Sequence, residues 1–215
     1  MLSTVSDRIL ILDFGSQSTQ LIARRIRECG VFSQIVDAEV SEETIRQVNP
    51  RGIILSGGPE SVTTGVLKAP ACVFTLGVPV LGICYGMQTM SAQLGGEVIL
   101  SDKQEFGHRE CVVSSFDGLF EHCDVSQGEP RLDVWMSHGD KVTHLPKGFK
   151  RMASSKNCSI AAIANDKNKK YGLQFHPEVT HTEKGSAILE AYIKDIWLER
   201  WGRILIMIWR PAKGE

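Results

Sequence analysis

The chain has 215 residues, 42% hydrophobic and 23% charged. That balance fits one folded domain with a short appendage and excludes disorder, collagen-like repeats and coiled coil as overall descriptions. Lysine plus arginine number 24 against 25 acidic residues, so the basic excess of a nucleic-acid-binding face is missing. No stretch approaches the ~20 apolar residues that span a bilayer. The N-terminus lacks the basic region and long apolar run of an export signal. A cytoplasmic protein with no membrane partner is therefore expected. Six scattered cysteines without a C-x-x-C pair point to reduced, mostly buried thiols.

In chain order, Arg8 to Leu12 is a short apolar strand running into Asp13-Phe14-Gly15. Gln17 to Cys29 follows as a helix, with Leu21, Ile22 and Ile26 on one face and Gly30 as its stop. Val31 to Val36 is a second strand. Glu42 to Val48 is a helix capped by Ser41, with Pro50 beyond its end. Gly52 to Leu55 and Val78 to Ile83 are further apolar strands, the second leading into a helix that reaches about Leu94. Short apolar strands alternating with helices predict a parallel sheet covered on both faces. The second half predicts short strands at Glu97–Leu100, Glu110–Val113, Val134–Met136, Phe149–Met152, Ser159–Ala164 and Tyr171–Phe175. With little helix between them, these predict an antiparallel addition. Asn165 to Lys170 reads as a hairpin loop, and Lys184 to Trp197 as a closing amphipathic helix. The stretch Ile196 to Pro211 holds three of the four tryptophans and reads as a docking element.

Gly82-Ile83-Cys84-Tyr85-Gly86, between a strand and a helix, has the nucleophile-elbow pattern. Glycines on both sides let the helix approach the strand through a tight, strained turn. Cys84 then sits at a helix N-terminus, which favours thiolate, and the Tyr85 N–H is placed for an oxyanion. Gln174-Phe175-His176-Pro177-Glu178 ends another apolar strand. On an extended segment His176 and Glu178 project together, so Cys84, His176 and Glu178 supply nucleophile, base and orienter. Strand ends of an open α/β sheet share one edge, where they can meet. Ser56-Gly57-Gly58-Pro59-Glu60 lacks the lysine of a phosphate-binding loop and instead offers the Gly58 N–H as second oxyanion donor. Trp135 to Asp140 reads as a loop recognising a polar ligand, with His138 a rival base. The six histidines show no metal-ligand spacing.

The elbow, His176-Pro177-Glu178 and Ser56-Gly57-Gly58-Pro59 together resemble the class I, triad-type glutamine amidotransferases. Within that class, residues 12–17 (LDFGSQ), 132–142 (LDVWMSHGDKV) and 176–182 (HPEVTHT) closely resemble the glutaminase domain of the GMP synthetases. The match covers about residues 8–196. The resemblance implies a flavodoxin-like, doubly wound, mostly parallel sheet with a small antiparallel sheet added. It implies Cys84, His176 and Glu178 as catalytic, Gly58 and Tyr85 as oxyanion donors, and Gln88, Ser137 and His138 as holding L-glutamine. It further implies that released ammonia serves an ATP pyrophosphatase domain or subunit that aminates xanthosine monophosphate. ATP and magnesium belong to that partner, and no cofactor is expected in this chain. Two departures stand out. Ser18 replaces the family's tyrosine, with little expected effect on chemistry, and the S-G-G-x-D-S loop of the synthetase module is absent. The expected layout is an amidotransferase domain over 1–196 and an atypical hydrophobic tail over 197–215. A cysteine peptidase, a non-catalytic glutamine-binding module, and an amidotransferase for CTP or anthranilate synthesis are the rivals. Intact Cys84, His176 and Glu178 and the Asp140 context weigh against them.

Overall fold

A computed structural model of the chain describes residues 8–65, 67–123 and 130–201, the last seven as backbone only. The first half winds as expected: β1 (Arg8–Asp13), α1 (Thr19–Glu28), β2 (Phe32–Asp37), α2 (Glu42–Val48), β3 (Gly52–Leu55), β4 (Val80–Ile83) and α3 (Tyr85–Gln93). Local chemistry explains the boundaries. The Ser41 hydroxyl caps α2 by accepting the Thr44 N–H at 3.1 Å. Gly30 stops α1 at φ +80°, where only a residue without Cβ sits freely. The second half holds β5 (Glu97–Val113), β6 (Arg131–His144), β7 (Lys150–Ser155), β8 (Ala162–Asn165) and β9 (Lys170–Leu173), closed by α4 (Gly185–Trp201).

The strands form one sheet in the order β2-β1-β3-β4-β9-β8-β7-β5-β6. From β2 to β9 the neighbours are parallel, in the flavodoxin order; from β9 to β6 they are antiparallel. The expected antiparallel addition is thus hydrogen-bonded to the parallel part, with β9 and β8 as the junction. Alternation assigns the faces. Ile9, Ile11, Leu81, Ile83 and Leu173 pack with Ile22 and Ile26 of α1 and with Ile188 and Tyr192 of α4. Leu10, Leu12, Ile53, Leu55 and Val80 face Ile45 of α2 and Met87 and Met90 of α3. Each such side chain contributes about 1.5–3 kcal/mol by leaving water.

Three segments differ from expectation. The two short strands foreseen at Glu97–Leu100 and Glu110–Val113 are one strand, β5, because residues 105–109 continue the pairing with β6 after a register shift between Leu100 and Glu105. Trp135 to Asp140 is not a loop but the middle of β6. Strand β9 stops at Leu173, so His176 and Glu178 lie in the turn beyond it. Among the described residues no helix is long and apolar enough to cross a membrane. The tail expected over 197–215 lies outside the described residues, apart from the backbone of α4 to Trp201.

Candidate active site

Four chain reversals meet at the carboxyl edge of the parallel strands: Phe14 to Ser18 after β1, Ser56 to Gly58 after β3, Cys84 after β4 and Gln174 to Glu178 after β9. Cys84 occupies φ 52°, ψ −109°, a conformation that costs a non-glycine residue of order 1–3 kcal/mol. Its surroundings enforce it. A Cβ on Gly82 would lie 2.6 Å from the Gly86 carbonyl carbon, and a Cβ on Gly86 would run into the Leu55 carbonyl oxygen. Only glycines let α3 press this closely on β3 and β4. The Cys84 N–H donates to the Leu173 carbonyl at 2.7 Å, tying the elbow to the end of β9.

His176 comes to this point from β9. Its Nδ1–H donates to Glu178 Oε1 at 2.8 Å, and Glu178 is fully buried. Its backbone N–H donates to the Trp135 carbonyl at 3.0 Å, and the Thr182 hydroxyl donates to its carbonyl at 2.6 Å. Burial disfavours the imidazolium, but hydrogen bonds to Cys84 and to Glu178, and their charges, outweigh it. The His176 pKa rises from 6.5 to about 10. The Cys84 sulfur lies 3.3 Å from the Ser137 carbonyl oxygen. The Gly57-Gly58 turn lies against this group. A Cβ on Gly57 would sit 3.2 Å from His176 Cε1 and 3.7 Å from Cys84 Cβ, and one on Gly58 would sit 2.6 Å from the Phe14 carbonyl oxygen. The structure thus brings together Cys84, His176 and Glu178 through the parallel edge, with Gly57 against them, Gly58 and Tyr85 next in the chain to Gly57 and Cys84, and Ser137 reached through β6.

These residues can be set against known proteins. Residues 10–196 match the family described as glutamine amidotransferase class-I. The chain belongs to that family. It is 57% identical over 193 residues to a GMP synthase [glutamine-hydrolyzing] of Photorhabdus laumondii; the match covers 88% of this chain and 37% of that one. A solved structure described as a GMP synthase subunit from Thermoplasma acidophilum is 28% identical, with TM-score 0.76, and covers 91% of this chain and 96% of that one. A glutamine amidotransferase of Thermotoga maritima, 20% identical with TM-score 0.65 over 90% of this chain and 97% of that one, shares the fold.

The other residues expected at the site, Gln88 and His138, belong to a buried polar layer. Gln88 donates its amide to the Asp140 carbonyl at 2.8 Å and to Gln174 Oε1 at 3.1 Å. His138 Nδ1 lies 2.9 Å from the same Asp140 carbonyl. A carbonyl only accepts, so Nδ1 carries the proton. His138 Nε2 then faces Glu105 Oε2 at 3.5 Å, and burial lowers the His138 pKa. Both ring nitrogens of His138 thus face groups of the polar layer, Asp140 and Glu105. Among the described residues no cluster of three or more His, Cys, Asp or Glu side chains could hold a metal ion.

Three residues at the site escaped the sequence reading. Gln174, fully buried, places its amide 3.8 Å from Cys84 Sγ; it was visible only as the neighbour of Phe175-His176. Glu105, fully buried, accepts the Ser155 hydroxyl at 2.7 Å; nothing in the polar run around it signals burial. Ser18, expected to matter little, donates its hydroxyl to Glu178 Oε1 at 2.6 Å.

Proposed function

We propose that this chain hydrolyses the side-chain amide of L-glutamine, with Cys84 as nucleophile, His176 as proton carrier and Glu178 as its orienter. The observation that carries the reading is His176 pinned between Glu178, at 2.8 Å, and the cysteine of a strained elbow. In the first step the Cys84 thiolate attacks the amide carbon, forming a C–S bond and an oxyanion. The Gly58 and Tyr85 N–H groups stabilise that charge as hydrogen-bond donors. His176 gives its proton to the leaving nitrogen, the C–N bond breaks, and ammonia departs from a glutamyl thioester. The same imidazole takes a proton from water, whose hydroxyl attacks the thioester; glutamate leaves and Cys84 is restored. Gln88, Ser137 and His138 hold the glutamine.

The chain spans about 37% of the length of the curated relative it matches. We infer that its ammonia serves an ATP-dependent synthetase domain or subunit that converts xanthosine monophosphate to GMP. ATP and magnesium act there, and this chain carries no cofactor of its own. The same reading divides the chain into an amidotransferase domain over 1–196 and a tail over 197–215. Free cysteines at all six positions support a reducing, cytoplasmic setting. The test is glutamate release from L-glutamine by the chain, alone and with the synthetase domain, ATP and xanthosine monophosphate. Release abolished by Cys84→Ala is the expected result. Release that survives Cys84→Ala overturns the assignment.

A further inference from the structure

We propose that Ser18 is a positioning residue of the triad: its hydroxyl selects and holds the one oxygen of Glu178 that orients His176. The inference rests on the catalytic reading above and adds a residue that reading does not contain.

Ser18 stands at the N-cap of α1, yet its side chain makes no capping hydrogen bond. A serine there ordinarily accepts an N–H of the first helical turn. Here the hydroxyl turns away from its own helix and donates to a carboxylate 160 residues along the chain, at 2.6 Å. A charge-assisted bond of that length is among the strong ones.

Proton accounting fixes the direction of the network. Glu178 Oε1 accepts from both His176 Nδ1 and Ser18 Oγ. Its other oxygen, Oε2, is buried without a hydrogen-bond partner. Ser18 has one hydroxyl proton, and it goes to Glu178. The 2.8 Å contact between Ser16 and Ser18 hydroxyls is therefore donated by Ser16. Ser16 Oγ in turn accepts the Ser18 N–H at 3.1 Å and lies 3.4 Å from where a Gly57 Cβ would be. A second tether comes from the same helix, where Arg25 Nε donates to the Glu178 carbonyl at 3.1 Å.

The two carboxylate oxygens are therefore not equivalent: Oε1 takes both donors and Oε2 takes none, and Ser18 is the donor that holds Oε1 independently of His176. Without its hydroxyl, His176 becomes the sole partner of the Glu178 carboxylate in the described network. The carboxylate can then turn about its last torsion, and the imidazole loses alignment with Cys84. Glutamine binding involves other groups, so the loss falls on the chemical step.

The test uses the whole chain and reads Cys84 directly. A chloroketone analogue of glutamine alkylates the thiolate: a C–S bond forms and chloride leaves. Peptide mapping by mass spectrometry follows the modification at Cys84. Ser18→Ala is expected to slow the limiting alkylation rate about tenfold while leaving the half-saturating analogue concentration unchanged. Losing a hydrogen bond to the buried Glu178 carboxylate lowers the melting temperature by a few degrees, so the rates are compared at a temperature where both chains are fully folded. Ser18→Thr, which restores a hydroxyl, is expected to return the rate to within about twofold. An unchanged rate in Ser18→Ala, with His176→Gln slowed, overturns the role of Ser18 and leaves the triad standing. So does a Ser18→Thr variant that melts normally but stays as slow as Ser18→Ala. If His176→Gln alkylates as fast as the wild type, the triad reading falls, and the role of Ser18 with it.

Discussion

The parallel and antiparallel halves of the sheet contribute to one site by different means. The parallel half works through its backbone. Gly82 and Gly86 leave no room for a Cβ, Gly58 clears the Phe14 carbonyl, and Cys84 is held at positive φ. The parallel half adds one buried side-chain pair, His176 and Glu178, beyond β9, whereas the antiparallel half works through buried polar side chains throughout. Glu105, His138 and Asp140 each keep a buried atom without a hydrogen-bond partner among the described residues. A site built from backbone tolerates no added atom, whereas one built from side chains tolerates bulk and responds to charge. Gly86→Ala should therefore cost more than about 3 kcal/mol, since the added Cβ runs into the Leu55 backbone, which cannot yield. Gly139→Ala on β6 meets only the Gln104 side chain, at 3.3 Å, and should cost less than about 1 kcal/mol. Urea midpoints of the two variants measure the difference. Equal losses would erase the contrast.

The two buried histidines sharpen it. His176, at the parallel edge, has its pKa raised from 6.5 to about 10, burial being outweighed by Cys84 and Glu178. His138, on β6, has its pKa lowered, burial outweighing the Asp140 carbonyl and Glu105. The signs follow from proton binding. Native His176 holds a proton that the unfolded chain releases above about 6.5. Its stabilisation is complete below that pH and is lost as pH climbs toward 10. Native His138 excludes a proton that the unfolded chain takes up, so its contribution is lost as pH falls below 6.5. The stability gap between wild type and His176→Gln should therefore shrink from pH 6.5 to 10. The gap between wild type and His138→Gln should shrink below pH 6.5. Denaturant titrations across both windows check this, and slopes of one sign for both histidines would mean a shared environment.

The same division governs what the sequence reveals. The elbow is legible because a tight strand-to-helix turn needs glycine at fixed offsets, and Gly82, Cys84 and Gly86 write that need locally. The parallel strands are legible because burial on both faces leaves unbroken apolar runs such as Ile53 to Leu55. The β5–β6 ladder is not, since residues 101–109 are mostly polar and 105–109 gain strand structure only from β6. Glu105 is hidden for a related reason. Its burial depends on Ser155 and His138, 50 and 33 positions away, and no local spacing encodes them. Ser18 shows a different blindness: the sequence places it inside a helix from Gln17, as a departure from the family's tyrosine, and only the folded chain reveals that its proton goes to Glu178.

The smallest expected effect lies where the halves are joined. Asp140 Oδ2 accepts the Ser61 hydroxyl at 2.6 Å and the Val62 N–H at 2.9 Å. Its carbonyl accepts from Gln88 and His138. One residue of β6 thus anchors the segment that follows the Gly57-Gly58 turn while ordering the polar layer. The two acceptor roles of Oδ2 are not equal. Ser61 is only part-buried and, freed of Asp140, can turn to Thr63, 2.7 Å away. The Val62 N–H has no such freedom, being fixed by the backbone. Ser61→Ala should therefore cost about 1 kcal/mol or less and leave the Val62 amide protected from hydrogen exchange. Asp140→Ala removes both acceptors and should cost about 1–3 kcal/mol, with fast exchange at Val62. If Ser61→Ala alone released the Val62 amide, the hydroxyl would be the anchor and the backbone bond its consequence.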